Sequence, residues 1–341
     1  MADTFQHPVF FSLSANSNMP STRLHSEARP LNADPQTHKR PVVSVILPVF
    51  NGEVFIQAAI ESVFAQTFKN FELIVVDDGS TDATMAILEC YGDRLEIIRQ
   101  QNAGHASARN KAARKANGIW IAMIDADDVW HPEKLQQQLD LTTLADVVYT
   151  GAHNFEDAVR VDDATFLNGQ CPSGDVFDHL MLDNFITHSS ILMRRDKFFA
   201  AGGYDETLRT TCDWDLWLRM SASGCQFHGI AAPLTHYRWR NNSNSRNHTR
   251  TCSDRLQVLQ RALQHPRATK TPVLLRQKAM ARVWQTSAWF VAENDDRQAL
   301  RWYLRSVCYR PYSIRGWKEV TRCCLHLCGI SRKRLHSLLS H

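Results

Sequence analysis

Short apolar runs separated by amphipathic stretches begin at Pro41 and recur down the chain, a pattern that predicts strands joined by crossover helices in a mostly parallel sheet. Residues 43–47 form a β-branched run closed by Pro48; Phe55, Ala59, Ile60, Val63 and Phe64 then follow at helical spacing within 53–66. A second strand is expected over 71–76, a helix capped by Ser80 or Thr81 runs to Tyr91, and Gly92 sits where it should stop. A third strand at 95–98, a helix over 105–117 and a fourth strand at 119–124 complete a β-α-β-α-β-α-β order.

Beyond a strand at 146–150 the periodicity fades, so 151–185 is expected to be a loop-rich insertion that frames an acceptor cleft. Short strands are expected at 191–193, 225–229 and 237–240, around a helix at 215–223. From Arg250 the pattern is helical with a new apolar phase through Trp284, Ala288, Phe290, Ala299, Tyr303 and Leu304, which predicts a helix pair forming a separate appendage. The expected organisation is a flexible leader over 1–40, an α/β domain over 41–245 divided at residue 150, and a basic helical region over 250–341.

At 341 residues and 44% hydrophobic, the chain can bury a substantial core, and no apolar run approaches the roughly twenty residues of a membrane-spanning helix. Nine cysteines without a secretion signal suit reduced thiols in a cytoplasmic setting, and the cluster Cys323, Cys324, His326 and Cys328 lacks the paired knuckles of a structural zinc site. The net charge of +4 conceals an asymmetry: residues 301–341 hold nine Lys or Arg against Glu319 alone, hence +8 there and −4 elsewhere. Such a tail suits either a solvated helix face or peripheral contact with the inner face of an anionic membrane. No nucleic-acid-binding signature accompanies it.

Candidate chemistry lies at the carboxyl ends of strands, where open α/β sheets bind their ligands. Asp78 follows the second strand, and Asp125, Asp127 and Asp128 follow the fourth. Their mutual repulsion asks for a cation, and hard oxygen ligands suit Mg2+ or Mn2+ shared with substrate phosphates. The alternative for Asp125-Ala126-Asp127-Asp128 is a polar turn before a helix begun near Pro132.

Three segments, Val43-Ser44-Val45-Ile46-Leu47-Pro48-Val49-Phe50-Asn51-Gly52, Val75-Val76-Asp77-Asp78-Gly79-Ser80-Thr81-Asp82 and Asp125-Ala126-Asp127-Asp128, resemble family 2 glycosyltransferases in content, order and spacing. The resemblance extends over about 41–240 and takes in Arg109-Asn110, Gly202-Gly203-Tyr204-Asp205-Glu206 and Asp213-Trp214-Asp215-Leu216-Trp217-Leu218-Arg219. It implies a GT-A fold over 41–245, with 41–150 as its nucleotide-binding half and 151–245 as its acceptor half, and an inverting, metal-assisted transfer of a sugar from a nucleotide diphosphate, of uridine type, to an acceptor hydroxyl in polysaccharide or glycolipid assembly. Pro48, Phe50, Asn51 and Glu53 would line the nucleotide pocket, and Asp78 would bond the base. Asp127 would hold the metal with Asp125, Asp125 and Arg109 would lie near the nucleotide sugar, and Asp128 would support the loop.

Asp213 would be the general base, with Asp215 in reserve; Cys212 stands where the family carries Glu. His236 and Arg238 are further candidates for phosphate contact, while Trp214 and Trp217, at helical spacing, read as core or as a sugar platform. Cys212 leaves a catalytically silent sugar-nucleotide-binding subunit open. A nucleotidyltransferase is disfavoured because Phe50-Asn51-Gly52-Glu53 is not a Gly- and basic-rich loop, and a dinucleotide-dependent oxidoreductase because no GxGxxG follows the first strand.

Overall fold

Every residue of β1 (Val43–Val49) is buried, as a strand covered on both faces requires. Its side chains alternate between two cores. Val43, Val45, Leu47 and Val49 meet Ile56, Ala59, Ile60 and Val63 of α1 (Ile56–Phe64), while Ile46 faces Ala108, Ala112 and Ala113 of α3 (His105–Lys115) on the other side. Each fully buried aliphatic side chain contributes about 1.5–3 kcal/mol, so this strand anchors both layers.

The computed structural model describes residues 40–156, 159–160, 171–238, 248–292 and 295–328. Among them, β1 pairs in parallel with β2 (Phe71–Asp77) and β4 (Trp120–Met123), and β2 with β3 (Glu96–Arg99). Because β2 and β4 flank β1, the loops that leave them, with Asp78 and with Asp125 to Asp128, emerge on one edge of the sheet.

The sheet continues in mixed sense through β5 (Val129–Trp130), β6 (Val147–Glu156), β7 (Val159–Arg160), β8 (Leu192–Arg194) and β9 (Phe227–Arg238). Its order is β3-β2-β1-β4-β8-β6-β9-β5, with β7 on β6. β8 runs antiparallel between β4 and β6, and β9 is parallel to β6 with a register shift between Thr150 and Ala152. β5 returns along β9, so that Val129 opposes His236 and brings the far end of β9 to the aspartate loop.

Several local expectations change. The caps assigned to Ser80 and Thr81 are not used as caps: α2 begins later, at Thr84–Glu89, and Asp82 accepts from the Thr84 amide at 3.0 Å, because Ser80 and Thr81 serve the preceding loop instead. The segment read as loop-rich is more regular, since β6 runs on to Glu156 and α5 (Phe177–Leu182) buries Phe177, Leu180 and Met181. Alternation along β6 is masked because both its faces are covered. The expected strand at 237–240 is the end of the longer β9, and 239–240 lie outside the described residues, as do 1–39, 161–170 and 329–341.

The C-terminal helical pattern resolves into α8 (His248–Gln264), α9 (Val273–Val291), α10 (Asp296–Tyr309) and α11 (Ile314–Leu327) rather than one pair. They are not set apart from the sheet. Val258 and Leu259 of α8 and Met280 and Val283 of α9 join the same apolar cluster as Leu216 and Trp217 of α7 (Cys212–Ala222). A third cluster, with Trp284, Trp302, Tyr303 and Val320, holds the four helices together.

α3 is tied to the turn after α6 (Arg195–Ala200) by Asn110, whose amide receives the Tyr204 N–H at 2.9 Å and donates to the Tyr204 carbonyl and the Glu206 carboxylate. Gly203 has φ +68°, and a Cβ there would lie 2.8 Å from Asn110 Oδ1, so the close approach requires glycine. Asn110→Ala leaves two buried backbone groups of Tyr204 without partners and is expected to lower stability by about 2–3 kcal/mol. Urea denaturation checks this, and a loss under about 0.5 kcal/mol would show the clamp to be dispensable.

Candidate active site

The loops after β1 and β2 are laced to each other by side chains that accept backbone N–H groups. Asn51 takes φ +50°, which exposes its amide to Ser80 Oγ at 2.9 Å and lets its own Oδ1 accept from the Thr81 N–H at 2.8 Å. The Gly52 amide donates to Thr84 Oγ1, the Glu53 amide to Asp82, and Glu53 Oε2 accepts from the Ala83 amide at 2.8 Å. Asn51 and Glu53 therefore hold the loop's shape, and Phe50 is left 49% exposed beside them. Pro48 is buried in β1 behind the loop.

Asp78 is buried and fully engaged. Its carboxylate accepts from Gln100 Nε2 and from the Ala103 and Gly104 amides, all at 2.8 Å, and so anchors the entrance to α3. Its neighbour Asp77 accepts from the Ser80 amide and lies 3.4 Å from Arg99.

The aspartates after β4 divide by partner. Asp125 lies 2.6 Å from Arg109 Nη2 and 3.5 Å from His188 Nδ1; burial would raise its pKa, but the Arg109 guanidinium and then the His188 side chain hold it well below the carboxylate range. Asp128 is buried, accepting from the Ser189 hydroxyl and from the Arg238 amide at 2.9 Å; burial, then Asp127 and Asp125, push its pKa well up. Asp127 stands between them, half-buried. The repulsion that the sequence assigned to a shared cation is thus met by the protein's own partners at Asp78 and Asp125, and it persists at Asp128.

β9 supplies the facing wall. Arg238 donates from Nε to the Asp127 carbonyl at 2.9 Å, with its guanidinium over the rings of Phe55 at 4.4 Å and Phe155 at 4.3 Å. His236 stacks on His153 at 6.1 Å between ring centroids, and burial, with His153 and His131 adding, lowers its pKa. Both residues therefore sit beside the aspartate loop.

Arg109 connects that loop to α7. It is buried, its Nη1 lies 3.8 Å from Cys212 Sγ, and its guanidinium is 5.6 Å from the Tyr204 ring centre. Cys212, at the family's Glu position, also contacts His105 Nε2 at 3.4 Å, and burial pushes its thiol up to about 12, so it is neutral. Arg109 consequently has one carboxylate, Asp125, where a Glu at 212 would have offered a second. Asp213, the next residue, turns the other way and accepts from Asn184 Nδ2 at 2.8 Å.

The remaining α7 candidates are structural. Asp215 is buried against Arg219 at 2.7 Å with Arg261 at 3.7 Å, which removes it as a reserve base. Trp214 donates to the Leu180 carbonyl and Trp217 stacks on His188, both within the core, so neither offers a platform to a sugar.

Ser189 and His188 were not singled out by the sequence. Ser189 Oγ accepts from the Asp125 amide at 2.9 Å and donates to Asp128, while His188 Nε2 bonds Tyr204 Oη at 2.9 Å. They lie in a single turn before β8, and only the antiparallel insertion of β8 next to β4 brings them to the aspartates. No spacing along the chain signals that. His105 and Asn184 were missed for the same reason.

No group of three or more His, Cys, Asp or Glu forms a cation cage among the described residues. That donor set still fits the open mode of Mg2+ or Mn2+, in which one or two carboxylates suffice and waters and phosphates complete the shell. Asp127 is the better donor, because Asp125 is already neutralised by Arg109.

Burial, with Arg109 close by, pulls the pKa of His105 down to about 3, against about 6.5 in an unfolded chain. Between those values the unfolded chain binds a proton that the folded chain does not. Stability therefore falls as pH drops from about 6.5 toward 3, by up to about 1.4 kcal/mol per pH unit from this residue. Urea midpoints at pH 7, 5.5 and 4.5 should fall less steeply in His105→Gln than in the wild type; parallel profiles would show that His105 charges in the folded state.

The profile described as Glycosyl transferase family 2 matches residues 44–198. The uncharacterized glycosyltransferase RP339 of Rickettsia prowazekii is 32% identical over 188 residues, 52% of this chain and 58% of its own length. The chain thus spans a little over half of that relative. The putative teichuronic acid biosynthesis glycosyltransferase TuaG of Bacillus subtilis is 31% identical over 218 residues, 62% of this chain and 84% of its own.

Among solved structures, S. aureus TarS residues 1–349 in complex with UDP superposes with TM-score 0.59 at 17% identity, covering 85% of this chain and 92% of that one. The mannosyltransferase PcManGT of Pyrobaculum calidifontis, in complex with GDP-Man and Mn2+, gives 0.56 at 16%, covering 92% and 87%. These likenesses concern the GT-A fold. With the profile match and the extended similarity to TuaG, the chain belongs to glycosyltransferase family 2.

Proposed function

We propose that the protein transfers a sugar from a nucleotide diphosphate to an acceptor hydroxyl, with inversion, in polysaccharide or glycolipid assembly. The observation that carries this reading is the continuous chain of contacts Asp125–Arg109–Cys212, which joins the aspartate loop to the first turn of α7, where Asp213 stands. The aspartate loop then offers groups for the diphosphate, and the first turn of α7 a carboxylate for the acceptor. Support for a uridine-type donor comes from the TarS complexes, which contain UDP or UDP-GlcNAc.

In the proposed reaction Phe50 covers the nucleotide, and the loop laced by Asn51 and Glu53 holds Phe50 in place. Asp78 acts on the base indirectly, through the loop at 100–104 that it anchors. The acceptor oxygen forms its bond to the anomeric carbon as the bond to the diphosphate oxygen breaks. Asp213 takes the hydroxyl proton, with Asn184 keeping one carboxylate oxygen in place. A divalent cation, when held by Asp127 and more weakly by Asp125, would supply counter-charge to the leaving diphosphate. Arg238 steadies Asp127 from behind and His236, neutral near pH 7, stands ready for a phosphate oxygen.

Asp127→Ala is expected to abolish both Mn2+-dependent binding of UDP and transfer, whereas Asp213→Asn keeps UDP affinity and lowers transfer by about 10²–10⁴-fold. Calorimetry and a mass-spectrometric screen of UDP-sugars check this. Wild-type affinity in the Asp127 variant would remove the metal assignment, and undiminished transfer in the Asp213 variant would remove the base. Sugar-nucleotide binding without any turnover would favour the silent-subunit reading instead, for which the neutral Cys212 is the specific observation.

We further propose peripheral contact with an anionic membrane, from a cytoplasmic position, through residues 301–341. No helix among the described residues is long and apolar enough to cross a membrane. Tyr312 is 96% exposed, Ile314 76% and Trp317 47%, and they alternate with Arg310, Arg315 and Lys318, a composition suited to a headgroup layer. Flotation with vesicles containing phosphatidylglycerol should recover the chain, and Trp317→Glu with Ile314→Glu should abolish recovery. Equal flotation of this double variant would dismiss the contact.

A further inference from the structure

Asp213 is turned away from the aspartate loop, toward Asn184. It lines a pocket of about 210 Å³ with Asn184, Thr211, Arg255 and Arg282, enclosed by α7, α8 and α9. Pockets for whole small ligands run to about 300–1,000 Å³, so this one accommodates a part of a larger molecule.

Its charges are unequally partnered. Arg282 pairs with Asp183 at 2.6 Å, and Asp213 accepts from Asn184. Asp254, one residue before Arg255, is turned away and takes the Arg209 and Thr210 amides and the Thr210 hydroxyl. Arg255 makes no hydrogen bond or ion pair with any described residue, although it is largely enclosed and feels Asp183 and Asp213 only at longer range. A guanidinium in that position stays charged and carries five donors in a planar fork. Leaving it uncompensated is costly.

A second group in the same pocket also lacks a partner. Thr211 is 8% exposed and its Oγ1 is buried with no hydrogen bond. It precedes the first residue of α7, an eleven-residue helix, so the positive end of that helix adds to the charge of Arg255.

We propose that this pocket receives an anionic group of the acceptor, a phosphate diester or a carboxylate on the glycan, with Arg255 as its counter-charge and Thr211 as an additional donor. The inference rests on the assignment of Asp213 as base, because the acceptor hydroxyl and its charged substituent then enter one pocket from the same molecule. Arg255 selects charged acceptors over neutral ones, and the fork geometry favours two oxygens on one atom. Donor recognition is separate, since Arg255 touches none of the groups around Asp127 or Asn51.

The test uses the full chain and four probes in ligand-observed NMR titrations: dimethyl phosphate, glucuronate, methyl glucoside and UDP. The wild type should bind at least one of the two anions and bind methyl glucoside at least tenfold more weakly. The anion retained tells phosphate from carboxylate acceptors. Arg255→Gln should lose tenfold or more in anion affinity with UDP affinity unchanged, and Arg255→Lys should recover part of the loss. Equal anion binding by wild type and Arg255→Gln, or equal binding of methyl glucoside and the anions, overturns the proposal while UDP binding leaves the transferase reading intact. Failure of the wild type to bind UDP overturns that reading, and this one with it.

Discussion

The buried pair between Arg109 and Asp125 holds together three elements that are distant in sequence. Arg109 rises from α3, Asp125 ends β4, and the far side of the guanidinium rests on Cys212 at the start of α7 and on the Tyr204 ring. An arginine enclosed in this way must find a carboxylate, or the fold bears the cost of an uncompensated charge, about 3–5 kcal/mol when one partner is removed. Asp125 is accordingly a structural counter-ion before it is a ligand for anything else. Its backbone amide is fixed as well, by Ser189, so the loop that presents Asp127 has little freedom.

Economy of aspartates follows. Of the carboxylates at this edge, Asp78 organises the start of α3, Asp125 neutralises Arg109 and Asp128 receives Ser189 and the Arg238 amide. Repulsion persists at Asp128, whose pKa is raised by burial and then by Asp127 and Asp125, and the case for a divalent ion falls on the side chain of Asp127 and on the phosphates it would share. A neutral thiol at 212 fits the same balance, because it leaves Arg109 and Asp125 a one-to-one pair.

Much of this was legible in the chain. The first four strands and their crossovers could be read because a parallel strand covered on both faces is an unbroken apolar run, as in Val43–Val49, and because Asp-rich turns punctuate its carboxyl ends. The site around Asp125 and Asp128 was only partly legible. Ser189 and His188 reach it through the antiparallel entry of β8 beside β4, a tertiary pairing that leaves no period along the sequence. Helix caps failed at Ser80 and Thr81 for a related reason: their hydroxyl and amide bond Asn51 across a loop, where local propensity has no say. Arg255 gave no signal, since a basic residue on an amphipathic helix is ordinary until neighbouring helices enclose it.

The anchoring of α3 by Asp78 bears on where an anion can settle at this edge of the sheet. Many nucleotide-binding folds greet phosphate with the bare amides of a helix start. Here the protein's own carboxylate is already seated at the Ala103 and Gly104 amides, so a fixed negative charge guards that entrance. A chain that lost this aspartate would leave the Ala103 and Gly104 amides open to a competing anion.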